Sequence, residues 1–451
     1  MNFNYLKTNI IASLILMFAA FYNGYPILFV GDSFGYYHYG LKLDHDTGAH
    51  SFLYGLFVAG SSLHYSFWFV AFIQCLLVSL IINQALKIFS NYKCTDVHFF
   101  LIVVFLTFFT SFSKYTAKVM PDVYIGLIAL LIFIILYGEF TKAKKFILLI
   151  LTSVLVCFHN SFYFISCLST LMFIIYLFVD KRKDAINENK WFFLGLIVLP
   201  MLITLSFHLV FFKKAYFNKS AHVYLMAKLS DSGILKKYLD NNCNDSTSIL
   251  CKYKEYRITL HDFLHNREIS PTHKEFGSGT QGIEGSKKEY KELIYNILSN
   301  PKYLFLFVED GIINMFHNLA DFNHYEQSGD IMSWHFSNYF PNQISQYYHS
   351  KQLRGSFEIY EKVNNLIEFI IVVLSILYII YSFNSLNVNQ KKLIVLSVIF
   401  IFANSYVTGQ LAEVVPRFSQ RIIWMVPMLA AMTLISKSIK GFSFIGSPSD
   451  C

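Results

Sequence analysis

A carboxylate, a hydroxyl and several tyrosines stand where an apolar run ends. Gly31-Asp32-Ser33-Phe34-Gly35-Tyr36-Tyr37-His38-Tyr39-Gly40 follows directly on the stretch Thr8 to Val30, and Asp44 and Asp46 come soon after. An acid at the edge of hydrocarbon is costly unless it is solvated, paired or used. A carboxylate placed there could take a proton from a hydroxyl. Asp44-His45-Asp46 has the spacing of an acid- or metal-bearing Asp-x-Asp, and with it a divalent cation such as Mg or Mn becomes a candidate cofactor. Tyrosines such as Tyr36 could stack on sugar rings. Three more polar groups border other apolar runs: Met120-Pro121-Asp122, His159-Asn160-Ser161, and Arg417 with Arg421. The two arginines are four apart and share a helix face. Their planar forks suit phosphate.

Each of these has a plainer reading. Asp32 could be a solvated residue at a helix end. Pro121 and Asp122 fit a first helical turn. Asn160 and Ser161 fit helix caps, and interfacial arginines are common anchors. Cys243 and Cys251 lie close together in a hydrophilic stretch and could pair in an oxidising compartment. Gln74, inside an aromatic run, reads as glue between helices.

The elements that must position these residues are membrane helices. The chain has 451 residues and only 15% are charged, against 55% hydrophobic, whereas soluble domains carry about 25% charged residues. The net charge of +8 comes from short Lys and Arg clusters between apolar runs. That is a topology signal, and no nucleic-acid partner is expected. Apolar runs at about 8–30, 65–86, 98–113, 121–138, 146–158, 161–179, 191–212, 364–383, 393–408 and 420–436 predict an all-α polytopic membrane protein of about ten transmembrane helices. The first run reads as an uncleaved anchor.

The run Tyr303 to Ala320 carries Glu309, Asp310 and His317, and charge counting decides its placement. If it does not span, and the N-terminus is cytoplasmic, fourteen Lys and Arg fall in cytoplasmic loops against five in short outer loops, Lys42, Lys114, Lys118, Arg417 and Arg421. That is the expected positive-inside bias. Residues 303–320 are therefore expected to form an interfacial or re-entrant helix. The chain divides into a membrane bundle of seven spans over 1–212, a mainly helical external insertion over 213–363 between helices seven and eight, and a second bundle of three spans over 364–451. The Gly-rich stretch Phe276 to Lys287 is expected to be a flexible loop. Asp32, Asp44, Asp46, Asp122, His159, Arg417 and Arg421 all fall on the outer face, and both termini inside.

This layout resembles the C-type glycosyltransferase superfamily of multi-spanning membrane enzymes. The resemblance rests on Gly31-Asp32-Ser33 with Tyr36, Ser51-Phe52-Leu53-Tyr54-Gly55, Met120-Pro121-Asp122, His159-Asn160-Ser161 and Arg417-Phe418-Ser419-Gln420-Arg421-Ile422-Ile423-Trp424. It implies a sugar donor linked to polyprenyl phosphate, a glycan or lipid acceptor, and an outer-face site at a bacterial cytoplasmic membrane. It also implies a catalytic acid in the first external loop, which either Asp32 or the later Asp44 and Asp46 would supply. Tyr36, Asp122, His159, Asn160, Arg417 and Arg421 would bind substrate. Three other classes compete, one of them a purely structural or immunity-type membrane protein whose polar outer face carries no activity. A polymerase or ligase of lipid-linked glycans would make the arginines primary. A transporter or flippase would carry charge and broken helices in mid-span.

Overall fold

The computed structural model describes residues 3–29, 31–42, 50–181, 183–243, 248–322 and 333–445. Among them every regular element is a helix, and the extended pairing is limited to one bridge between Ile27 and Lys118. The helices run α1 Phe3–Leu16, α2 Phe18–Asn23, α3 Asp32–Leu41, α4 Phe52–Ser61, α5 Phe67–Phe89, α6 Asp96–Phe109 and α7 Phe112–Ala117. Next come α8 Tyr124–Tyr137, α9 Lys142–Val156, α10 Asn160–Val179, α11 Lys183–Phe212, α12 Ala221–Asp231, α13 Ile234–Asn242, α14 Leu260–His265, α15 Pro271–Phe276, α16 Thr280–Ser299 and α17 Pro301–Ala320. The chain closes with α18 Ser333–Tyr339, α19 Ile344–Tyr348, α20 Phe357–Ser382, α21 Val388–Leu411, α22 Arg417–Ile423 and α23 Met425–Ile445.

Seven segments are long and apolar enough to cross a bilayer: Phe3–Asn23, Phe67–Phe89, Asn160–Val179, Glu188–Phe212, Phe357–Ser385, Val388–Leu411 and Arg417–Ile439. The chain is a multi-pass helical membrane protein. The expected count of ten is not established. The helices α6, α8 and α9, read as spans, have 14, 14 and 15 residues. At 1.5 Å per residue they fall short of a hydrocarbon core of about 30 Å. The first span also ends earlier than the apolar run predicts. It stops at Asn23, and Gly24 closes it in the left-handed region at φ 84°.

One large apolar cluster joins the N-terminal and C-terminal helices. Its centre is α8, where every residue from Tyr124 to Ile135 is buried. A helix apolar all round sits in a protein core or in lipid; here α5, α9 and α21 pack around it. A second cluster draws on α12, α13, α14, α16 and the start of α17, so much of the insertion has its own core. Phe336, Phe340 and Tyr347 instead pack into the large cluster. Residues 280–287, expected as loop, are the first two turns of α16, because Gly282 lets the helix back against the carbonyl of Gly277. Helix α17 carries Tyr303 and Phe307 into the insertion core, then runs antiparallel along α21. Asn314 donates to the Gly409 carbonyl at 3.3 Å, and Asn318 to the Ser405 carbonyl at 3.2 Å.

Candidate functional site

The bridge between Ile27 and Lys118 draws two distant helix starts together. Val119 donates to the Ile27 carbonyl at 2.9 Å. Ser33 locks this join: its hydroxyl accepts from the Phe29 amide and donates to the Val119 carbonyl, both at 2.9 Å. From below, the Gln74 amide donates to the carbonyls of Thr116 and Lys118 at 2.9 and 2.8 Å. Asp32, the first residue of α3, and Asp122, in the turn Pro121–Val123 before α8, are thereby held near one another. Both acids stand in a first helical turn, where the macrodipole favours negative charge.

Arg417 and Arg421, on one face of α22, meet these acids. Arg417 lies 4.0 Å from Asp32 through Nη1 and 3.7 Å from Asp122 through Nε, with its guanidinium 4.2 Å over the Phe29 ring. Arg421 is fully buried. Its Nη1 is 3.5 Å from Asp122, and its Nε and Nη2 donate to Asn404 Oδ1 at 3.1 and 2.7 Å. The Asn404 amide donates in turn to the Phe418 carbonyl at 2.6 Å. Arg421 is thus committed to protein partners, which corrects the expectation that it grips a substrate phosphate. Desolvated charges persist only when paired and hydrogen-bonded in this way.

His50 completes the exposed end. Its Nε2 lies 3.2 Å from Asp32 Oδ1, and Asp32 keeps 37% of its side chain exposed. Burial alone would raise the Asp32 carboxyl. The hydrogen bond from His50, the charge that ring carries when protonated, and then the charge of Arg417 outweigh it and hold Asp32 below the ordinary carboxylate value. Tyr36 is 3% exposed and presents its ring edge-on to His50 and to Tyr54, each at 4.8 Å between centroids. It therefore orients the imidazole and offers no open face for a sugar, contrary to the stacking expectation. The α3–α4 crossing that sets this geometry needs glycine: a Cβ on Gly40 would lie 2.1 Å from the Gly55 carbonyl oxygen.

His159 is the N-cap of α10, a role expected of Asn160 and Ser161. Its Nδ1 accepts from the Ser161 amide at 3.2 Å, and its ring packs on Phe162, which also lies under Arg421. Burial, then the charge of Arg421, push its pKa down to about 3, so the ring is neutral. His50, His159 and Asn160 line one cleft with Phe52, Tyr163 and Phe207, between α4, α10 and α11. Asp32, Asp122, His159, Arg417 and Arg421 thus gather at one end of the bundle, from four separate parts of the chain.

Asp44 and Asp46, read as alternative catalytic acids and metal ligands, lie outside the described residues. Among those described, no group of three or more metal-ligating side chains is present. Asp32 and Asp122 have the Arg417 cation beside both of them, so this pair does not fit a divalent ion. Cys243 and Cys251 are bonded, with sulfurs 2.05 Å apart and Cα atoms 5.6 Å apart. Sequence reasoning missed His50. The faint signal was Gly35, one turn after Asp32, which leaves room for the ring. It also missed Asn404, a polar side chain inside an apolar run that satisfies Arg421. No family model, curated protein or solved structure matches this chain.

Proposed function

We propose that this chain is a membrane glycosyltransferase that moves a sugar from a polyprenyl-phosphate-linked donor to a glycan or lipid acceptor in cell-envelope assembly. One observation carries the reading: a partly exposed acid, Asp32, is held by His50 and Arg417 beside a cleft at one end of a multi-pass bundle. Sugar transfer needs a group to take the acceptor hydroxyl proton, and the Asp32–His50 pair offers it. It also needs positive charge near the departing phosphate, and Arg417 supplies that. The commitment of Arg421 to Asp122 and Asn404 weighs against the polymerase-like reading, in which both arginines face substrate.

A second reading, lipid or solute transport, draws on a different observation. Lys114 and Glu361 form a 3.2 Å ion pair with both side chains 1% exposed, and Glu368 is buried in the same span. Charge inside spans is a hallmark of transport pathways. The test is surface glycan analysis in cells carrying Asp32→Asn at matched expression. Loss of a glycan supports the transferase. An unchanged glycan profile, with lipid or solute movement by the purified protein in vesicles, would replace it with transport.

A further inference from the structure

His50 is tied to Asp32 through Nε2 at 3.2 Å. In the neutral imidazole, with Asp32 ionised, that bond places the proton on Nε2 and leaves a lone pair on Nδ1. Nδ1 is buried and has no hydrogen-bond partner among the described residues. Other buried side-chain atoms share this state, Asp122 Oδ2 among them, but His50, unlike Asp122, lines a cleft. The ring itself borders the cleft that His159, Asn160, Tyr163 and Lys219 also line, and among its lining residues there is no acidic side chain. Its orientation is fixed on three sides: Tyr36 edge-on at 4.8 Å, Tyr39 at 5.3 Å, and the bond to Asp32. Gly35 leaves the space, since a Cβ there would lie 2.9 Å from His50 Nε2.

We infer that His50, not Asp32, is the catalytic base, and that the small cleft beside it, about 30 Å³, receives the reacting hydroxyl of the acceptor. This rests on the transferase reading above. Nδ1 takes the acceptor hydroxyl proton as the oxygen bonds to the sugar C1. The bond from C1 to the phosphate oxygen breaks, and its electron pair leaves with the polyprenyl phosphate. The imidazolium so formed is stabilised by the Asp32 carboxylate, which acts as a positioning residue. The arrangement needs no oxidant, reductant or metal. It places base and acceptor on one side of Arg417 and gives Asp32 an orienting role that its remaining exposure would otherwise leave unexplained.

The experiment uses membrane vesicles containing the full chain, with radiolabelled hexosyl and pentosyl phosphopolyprenols as probe donors and the vesicles' own acceptors. His50→Ala and His50→Gln are each expected to lower transfer by about 10²-fold or more. Free imidazole should restore part of the activity of His50→Ala and none of Asp32→Asn. Gly35→Ala, whose Cβ would press on Nε2 and shift the ring off Asp32, should lower transfer at an unchanged melting temperature. Wild-type transfer by His50→Gln, or a loss in His50→Ala that imidazole leaves untouched, overturns the inference. If Asp32→Asn alone abolishes transfer, the base is Asp32 and the transferase reading stands. If the wild-type chain transfers neither probe sugar, that reading fails with it.

Discussion

Two groups of opposite charges lie on neighbouring faces of α22, and they differ in access. On one face Arg417 and Arg421 meet Asp32 and Asp122, and the group ends in a partly exposed carboxylate beside a cleft. On the next face Gln420 accepts from Lys114 and from Tyr115, at 3.4 Å each, while Lys114 pairs with Glu361 and Glu368 accepts from the Ser111 amide and hydroxyl. Lys114 and Glu361 are each 1% exposed, so this second group is closed. Burial of charge is therefore not what singles out a reactive site in this bundle. The closed group holds α7, α20 and α22 together, and Glu368 Oε2, which has no hydrogen-bond partner among the described residues, is sealed away from solvent. The open group spends Arg421 and Asp122 in pairing as well, yet leaves Asp32 partly exposed and His50 on the cleft.

Changes that separate stability from turnover sharpen this contrast. Glu361→Ala leaves Lys114 as an uncompensated buried cation and should destabilise the protein by about 3–5 kcal/mol, seen as a lowered melting temperature in detergent. Replacing Lys114 and Glu361 together by Met and Leu should cost far less than either single change, by a double-mutant cycle. Arg417→Ala should cost about 2–4 kcal/mol in transition-state stabilisation, read per folded molecule, and should also lower melting because it removes a buried partner of Asp122. Arg417→Lys should recover only part, since it lacks the planar fork. Asn404→Ala removes both hydrogen bonds to Arg421 and should cost about 1.5–3 kcal/mol of stability.

The smallest effect is a pH limb. The unfolded chain binds a proton at His159 near the ordinary histidine value of about 6.5, whereas the folded chain resists until about 3. Stability should therefore fall as pH drops through that window, because the unfolded state binds the extra proton. His159→Gln should flatten that part of a melting-temperature profile, and an unchanged profile would show that the ring is not held neutral.

The membrane class was legible because the apolar runs are long and nearly uncharged. The number of spans was not, because the runs containing α6, α8 and α9 look like spans in composition but fold into short helices. Loop charges misled in one instructive way. Of the five outer-side cations counted for topology, Lys114, Lys118, Arg417 and Arg421 are buried at 1, 0, 8 and 0% exposure. They mark internal pairing, not solvated loops. Asp32, Asp122, His159 and Arg417 stood out individually, because each interrupts the edge of an apolar run. Their pairing did not: Asp122 and Arg421 are 299 residues apart, and Lys114 and Glu361 are 247 apart. Spacing in sequence carries no signal at that range. His50 was illegible for a different reason: a lone histidine in a polar loop has no pattern until the partner carboxylate is placed against it.

The claim that the open group reacts and the closed group supports is tested most directly by measuring sugar transfer per folded molecule for Asp32→Asn and Glu361→Gln side by side. Transfer is read in vesicles with labelled phosphopolyprenol donors, and folded fraction by thermal melting of the same preparations. The account predicts that Asp32→Asn melts like the wild type and loses about 10²–10⁴-fold in transfer, while Glu361→Gln melts lower and keeps its transfer per folded molecule. If instead Glu361→Gln loses transfer at full stability and Asp32→Asn keeps it, the chemistry belongs to the closed group and the account is wrong.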